Sequence, residues 1–219
     1  MNRIVVATTN AGKIAELTPL LGALGYEVCG LDAFPDVTVA VEDGDTFASN
    51  AEKKARHYAE STGLPALADD SGLAVRALGG APGVHSARFA GADADDDTNN
   101  ALLLQRLAEQ PDRRARFVCA LCLVDGDTLI ASVEGRCEGR ILDAPRGAGG
   151  FGYDPLFVPE AAVAGGRSFA ELSREAKSQL SHRGAALRAL VTTLEARQLA
   201  GPGPGRDTGK PNAGTEARA

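Results

Sequence analysis

No apolar run in this chain is long enough to cross a bilayer, and Met1-Asn2-Arg3 leads straight into a strand pattern without the regions of a signal peptide. An excess of positive charge is also missing. The formal net charge is -6 and the pI about 5.1. That excludes a general electrostatic grip on a nucleic acid backbone or an anionic membrane, but not a small anion held by a few local cations. Cysteine is sparse: Cys29, Cys119, Cys122 and Cys137. Cys119-Ala-Leu-Cys122 has the spacing of a redox or zinc half-site. Both thiols lie in the apolar run Phe117 to Val124, however, with no second Cys/His pair nearby. Buried free cysteines are expected, and with them a reducing, cytoplasmic compartment. Of the three histidines, His57 and His85 fall in no motif.

What is present describes an ordinary globular chain. Its 219 residues are 44% hydrophobic and 24% charged, enough for a sizeable core in one domain. Residues 1–200 read as that domain. Residues 201–219 are Gly, Pro and charge and read as a disordered tail.

Arg3 to Thr8 is a continuous apolar strand, as in a sheet covered on both faces. Thr8-Thr9-Asn10-Ala11-Gly12-Lys13 follows, and a helical pattern starts at once with Ile14, Leu17 and Leu21. A strand, a small polar loop and a helix start can hold phosphate through free amides and the helix dipole, with Lys13 as a mobile charge; an ordinary capped helix is the plainer alternative. Pro19 predicts a kink or restart in this helix. A second strand is predicted at Glu27 to Leu31, and a helix from Thr46 to Ser61 with Phe47, Ala51, Ala55 and Tyr58 on one face. Lys53 and Lys54 read as charges on its exposed side.

The stretch Ala68-Asp69-Asp70-Ser71-Gly72-Leu73 follows the short apolar strand Leu64 to Leu67. It reads as a turn, with Gly72 letting the backbone change direction. Adjacent carboxylates resist joint ionisation unless a cation or strong donors sit beside them. The stretch is therefore either a divalent-cation site of oxygen ligands, with an acid from Glu42-Asp43-Gly44-Asp45 in reach, or an acidic turn in water.

Further on, Gly91 to Asp97 is acidic and surface-like, and Thr98 to Glu109 is an amphipathic helix. Arg116 to Val124 and Leu129 to Cys137, joined by Asp125-Gly126, form a β-hairpin, so the sheet is mixed. Phe151 and Tyr153, displayed among glycines in Gly149 to Pro155, suit stacking on a planar ligand or anchoring the loop in the core. Ser168 and Glu171 form a capping box for a helix carrying Lys177. Ser181-His182-Arg183-Gly184 interrupts the pattern before a last helix ending near Leu199.

Ala7 to Lys13, Glu42 with Thr46-Phe47, Asn50 with Lys53 to Ala55, Ala68 to Leu73, Gly79 to Gly83, Ser86 to Arg88, Gly149 to Pro155 and Lys177 to Gly184 occur in this order across residues 4–199. Together they resemble the XTP/dITP diphosphatases, or inosine triphosphate pyrophosphatases, which act on aberrant purine nucleoside triphosphates. The resemblance implies an elongated α/β fold with a central mixed sheet flanked by helices, two lobes with a substrate cleft between them, and a homodimer. It implies Mg²⁺-dependent cleavage between the α- and β-phosphates of dITP, ITP or XTP. Asp70 and Asp69 would be the catalytic carboxylates and Glu42 and Asp70 the metal ligands. Thr8, Thr9, Asn10, Ala11, Gly12, Lys13, Lys53 and Ser71 would bind the phosphates. Phe151, Gly152, Tyr153 and Asp154 would hold the base, with Lys177, His182 and Arg183 facing its 6-keto oxygen or the phosphates. The alternatives are a nucleotide-binding regulator without turnover and a pyrophosphatase for other modified nucleotides.

Overall fold

The computed structural model describes residues 2–9 and 11–199. Asn10 and the predicted tail, residues 201–219, lie outside them.

The elements are β1 (Asn2–Val6), α1 (Ala11–Ala23), β2 (Tyr26–Cys29), α2 (Phe47–Thr62), β3 (Ala66–Val75), α3 (Asp96–Arg106), β4 (Arg114–Asp125), β5 (Thr128–Ile141), β6 (Phe157–Pro159), α4 (Arg174–Leu180) and α5 (His182–Leu199). They build a six-stranded sheet in the order β2-β1-β3-β4-β5-β6. β2, β1 and β3 run parallel, and β3 to β6 pair antiparallel, so the sheet is mixed as expected. The Asp125-Gly126 signal makes the β4–β5 hairpin.

Strand alternation distributes the core between two faces. Ile4, Val6, Leu67, Cys119, Leu121 and Leu123 face α1 and α5, where Leu17, Leu21, Leu187, Leu190 and Leu194 cover them. Val5, Ala7, Ala66, Ala68, Ala120 and Cys122 face α2, whose Ala51, Ala55 and Ala59 pack closely on the sheet. A third cluster joins Leu73, Val75 and Phe117 to Leu103 and Leu107 of α3 and to Tyr153, Phe157 and Phe169. Cys119, Cys122 and Cys137 are buried free thiols, and Cys29 is a partly exposed one.

Three local expectations differ from the fold. α1 runs unbroken through Pro19, which is exposed, and does not restart. The Ser168/Glu171 capping box opens only a single 3-10 turn; α4 begins after it with its own cap, Ser173. The Asp69-Asp70 stretch is not a turn. β3 continues through it to Val75, because β4 supplies a ladder partner at every position from Ala66 to Val75. Gly72 serves close approach instead: a Cβ there would meet Ser86 Oγ, the Gly83 carbonyl at 2.7 Å and the Phe47 ring at 2.9 Å. Among the described residues no helix is long and apolar enough to cross a membrane.

Candidate active site

The chain leaves β1 in one direction for β2 by way of α1, then returns past β1 to β3 by way of α2. The strand order therefore reverses between β1 and β3, the place where open α/β sheets hold ligands beyond the strand ends. β1 pairs with β3 only at Val5–Ala66 and Val6–Leu67. From Ala68 to Leu73 that edge of β3 carries no strand partner among the described residues, so Asp69, Asp70 and Ser71 lie on an open edge past the end of β1, before the bridge of Ala74 to Pro82.

The pleat sends the adjacent carboxylates to opposite faces. Asp69 shares the α1 side with Leu67, and Lys13 Nζ donates to its Oδ2 at 2.6 Å. Asp70 shares the α2 side with Ala66 and Ala68. Its Oδ2 accepts from Asn50 Nδ2 at 3.0 Å and its Oδ1 from the Ser71 N–H at 2.9 Å. Asn50, only 1% exposed, also accepts the Gly44 N–H on Oδ1 at 2.7 Å. One side chain thus ties the loop that carries Glu42 to Asp70. Lys54 pairs with Glu42 Oε1 at 2.5 Å and donates to the Asp69 carbonyl at 3.0 Å.

Burial pushes the Asp70 carboxyl above its ordinary value; the Asn50 hydrogen bond opposes that, and the Glu42 charge adds to it. The like charge that matters to Asp70 is therefore Glu42, across the loop, rather than its sequence neighbour. Burial and the Asp69 charge push the thiol of Cys119, paired with Ser71 across the β3–β4 ladder, up to about 12, so it stays protonated.

Beyond Lys13 and Ser71 a cavity of about 580 Å³ opens over Phe117, lined also by residues 149–154, Lys177, His182 and Arg183. Phe151 displays 54% of its surface there. Lys177 Nζ lies 4.8 Å and the Arg183 guanidinium 5.7 Å from its ring centre. Asp154 is buried, and its Oδ2 accepts the Phe151 N–H at 2.9 Å and a hydrogen bond from Lys177. His182, the first residue of α5, stacks on Phe117 with ring centres 4.7 Å apart. Burial first, then the charges of Arg183, Lys177 and Lys13, hold its pKa well below the usual imidazole range, so the ring is neutral. His182 Nδ1 and Arg183 Nε are buried without a hydrogen-bond partner. Such atoms are costly unless a ligand satisfies them.

The sequence-derived residues thus divide. Lys13, Ser71, Phe151, Gly152, Tyr153, Asp154, Lys177, His182 and Arg183 line one cavity. Glu42, Asp69 and Asp70 stand at the β3 edge outside its lining, with Lys13 linking the two groups. Thr8 is half-buried and Thr9 exposed at the end of β1; Ala11 and Gly12 open α1. Lys53 is 49% exposed in a surface pair with Asp43, whereas Lys54, read as an exposed charge, is half-buried. Asn50 and Lys54 stand four residues apart on one side of α2, and the packing of α2 on the sheet turns that side toward β3. His57 bonds the Thr38 carbonyl at 2.7 Å and His85 is exposed. Among the described residues no group of three or more His, Cys, Asp or Glu side chains is arranged to hold a metal, so Glu42 and Asp70 form a pair.

A model of the Ham1 family matches residues 4–193. A dITP/XTP pyrophosphatase of Aromatoleum aromaticum is 54% identical over 202 residues, 90% of this chain and 98% of that protein. One from Desulforamulus reducens is 52% identical over 195 residues, 88% of this chain and 95% of its own length. A solved HAM1 protein structure from Coxiella burnetii superposes with a TM-score of 0.84 at 42% identity, covering 90% of this chain and all of that one, 100%. With the model spanning both the β3 edge and the cavity, the chain belongs to the Ham1 family.

Proposed function

We propose that this protein hydrolyses non-standard purine nucleoside triphosphates, dITP, XTP and ITP, to the monophosphate and pyrophosphate. The observation that carries the reading is the continuity of the site. An exposed aromatic and two buried nitrogens without a hydrogen-bond partner, His182 Nδ1 and Arg183 Nε, line one cavity whose rim, at Lys13, meets Asp69 on β3, next to Asp70 and Glu42. The base would stack on Phe151, with Arg183 and His182 toward its 6-keto oxygen. The triphosphate would run past Ser71 and Lys13 toward the start of α1, the positive end of the helix dipole.

Glu42 and Asp70 suit Mg²⁺. They are oxygen donors whose mutual repulsion a cation would relieve, and Mg²⁺ takes one or two carboxylates beside substrate phosphates. Bound there, Mg²⁺ would offset charge developing on the phosphates. Asp70, held by Asn50 and the Ser71 amide, takes the proton of the water attacking the α-phosphorus. Lys13 and Lys54 leave their carboxylate partners for the phosphates and balance the departing pyrophosphate. Lys53 contributes by steering from the surface. The free thiols suit a reducing cytoplasm. Exposed Val39 and Val41 beside Glu42 offer apolar surface to a second copy in a homodimer.

Pyrophosphate release from dITP, XTP, ITP, GTP and ATP, with and without Mg²⁺, tests the reading. Release from the first three, dependent on Mg²⁺, is the expected result. Equal turnover of ATP and ITP, or a full rate in chelator, would refute it.

A further inference from the structure

We propose that Asp96 and Asn100, one turn apart on α3, are positioning residues that set where the Phe151 ring stands. Asp96 Oδ2 accepts the Gly152 N–H at 2.6 Å, and Asn100 Nδ2 donates to the Gly152 carbonyl at 3.0 Å. The peptides on both sides of Gly152 are thus held by one helix. Gly152 itself has a φ of +60°, the left-handed region that glycine enters without steric cost. The helix is a firm support: Asp95 caps it through the Thr98 N–H at 2.8 Å, and Leu103 and Leu107 are fully buried. Because Asp95 does the capping, Asp96 is available to the loop.

The same helix holds the far side of the loop. Asn99 accepts the Ala90 N–H at 2.8 Å and donates to the Ala87 carbonyl at 3.1 Å. The 3-10 segment so fixed receives the Tyr153 hydroxyl on the Ser86 carbonyl at 2.8 Å, while Ser86 Oγ accepts the Leu73 N–H of β3 at 2.9 Å. Phe151 is therefore located relative to β3 through α3 as well as through its own N–H bond to Asp154. Asn100 also carries a telling cost: its Oδ1 is buried without a partner. A leucine, branched alike but larger, would remove that orphan while taking the donor from the Gly152 carbonyl, so the effects on stability oppose each other. The donor to Gly152 is what the amide contributes.

This inference rests on the base-stacking role of Phe151 proposed above. The test uses the full chain with Mg²⁺ and measures, by calorimetry, the affinity of a non-hydrolysable α,β-methylene analogue of inosine triphosphate and of inorganic triphosphate. Asp96→Ala and Asn100→Leu should each weaken the analogue about tenfold, the worth of one net hydrogen bond, and change inorganic triphosphate less than about twofold. Asn100→Leu should shift the melting temperature by only a few degrees, because the removed orphan and the lost donor oppose each other. Asp96→Asn, whose amide oxygen still accepts, should restore most of the affinity. Variants that bind the analogue as the wild type does, or that lose both ligands equally, would overturn the positioning role alone. A wild-type chain that binds the analogue no tighter than inorganic triphosphate would overturn the functional reading and this role with it.

Discussion

Replacing Asp70 by asparagine separates chemistry from folding at one atom. Asp70 only accepts: Oδ2 from Asn50 and Oδ1 from the Ser71 amide. An amide at position 70 must turn its NH₂ toward one of those donors. If Asn50 flips to accept it, the Asn50 NH₂ then meets the Gly44 N–H, which now bonds Asn50 Oδ1. One donor stays unmatched wherever the conflict moves, at a cost of about 1–3 kcal/mol. Against this, the variant no longer holds a buried charge beside Glu42, the two influences that raise the Asp70 pKa. The opposing effects keep the net loss below about 3 kcal/mol, or roughly 10 °C in a chain of this size. Turnover should fall much further, about 10³-fold, as for loss of a general base. Pyrophosphate release and a thermal scan on the same sample decide the matter. More than a tenth of wild-type activity would show that Asp70 is not the base, and a collapse of folding would refute the balance of effects on stability.

Three further outcomes are expected. Arg183→Ala should lower kcat/KM for ITP far more than for ATP; an equal loss on both would assign Arg183 to the phosphates. The preference for ITP over ATP should stay flat from about pH 6 to 8, because burial and the neighbouring cations hold the His182 pKa well below the usual range; a step near pH 6.5 would refute the neutral ring. The sign for folding follows: as pH falls below 6.5 the unfolded imidazole takes up a proton that the folded one refuses, so His182 costs stability there and none above. Truncation after Ala200 should leave activity and melting temperature unchanged, since the Gly/Pro-rich stretch has little to bury; lost activity would assign it a role.

Much of the fold was legible because its signals are local. Continuous apolar runs placed β1 and β4, Asp125-Gly126 made the hairpin, and the helix expected from Thr46 is α2, with Thr46 as its cap. Features set by distant partners were not. The continuity of β3 through Asp69 and Asp70 depends on β4, some fifty residues away, and a glycine that reads as a turn proved to be a point of close approach. Lys53 and Lys54 are adjacent, and only the rotation of α2 against the sheet decides which one turns inward. Asp96 belongs to a run that reads as solvated surface; its partner is a backbone amide, which leaves no mark in the sequence. The site's chemistry was plainer than its geometry: residue types at the β3 edge and on the cavity wall were readable, but not their division between two places joined at Lys13.

That division changes the account of base choice. A protonated His182 and Arg183 would both be donor-only, and together would penalise the 6-amino group of adenine twice. The neutral ring offers one N–H and one lone pair, so it can satisfy a keto or an amino group equally well. Asp154 cannot read the base through Oδ2, which Phe151 and Lys177 already occupy. Arg183, always charged and without an acceptor, is left as the side chain that can only reward a 6-keto oxygen. One buried unpaired donor costs about 1–3 kcal/mol, so in the proposed role Arg183 alone would supply roughly fivefold to 150-fold rejection of ATP. Any discrimination beyond that range has to come from how closely the loop holds the base against Arg183, which is the quantity that α3 controls through Gly152.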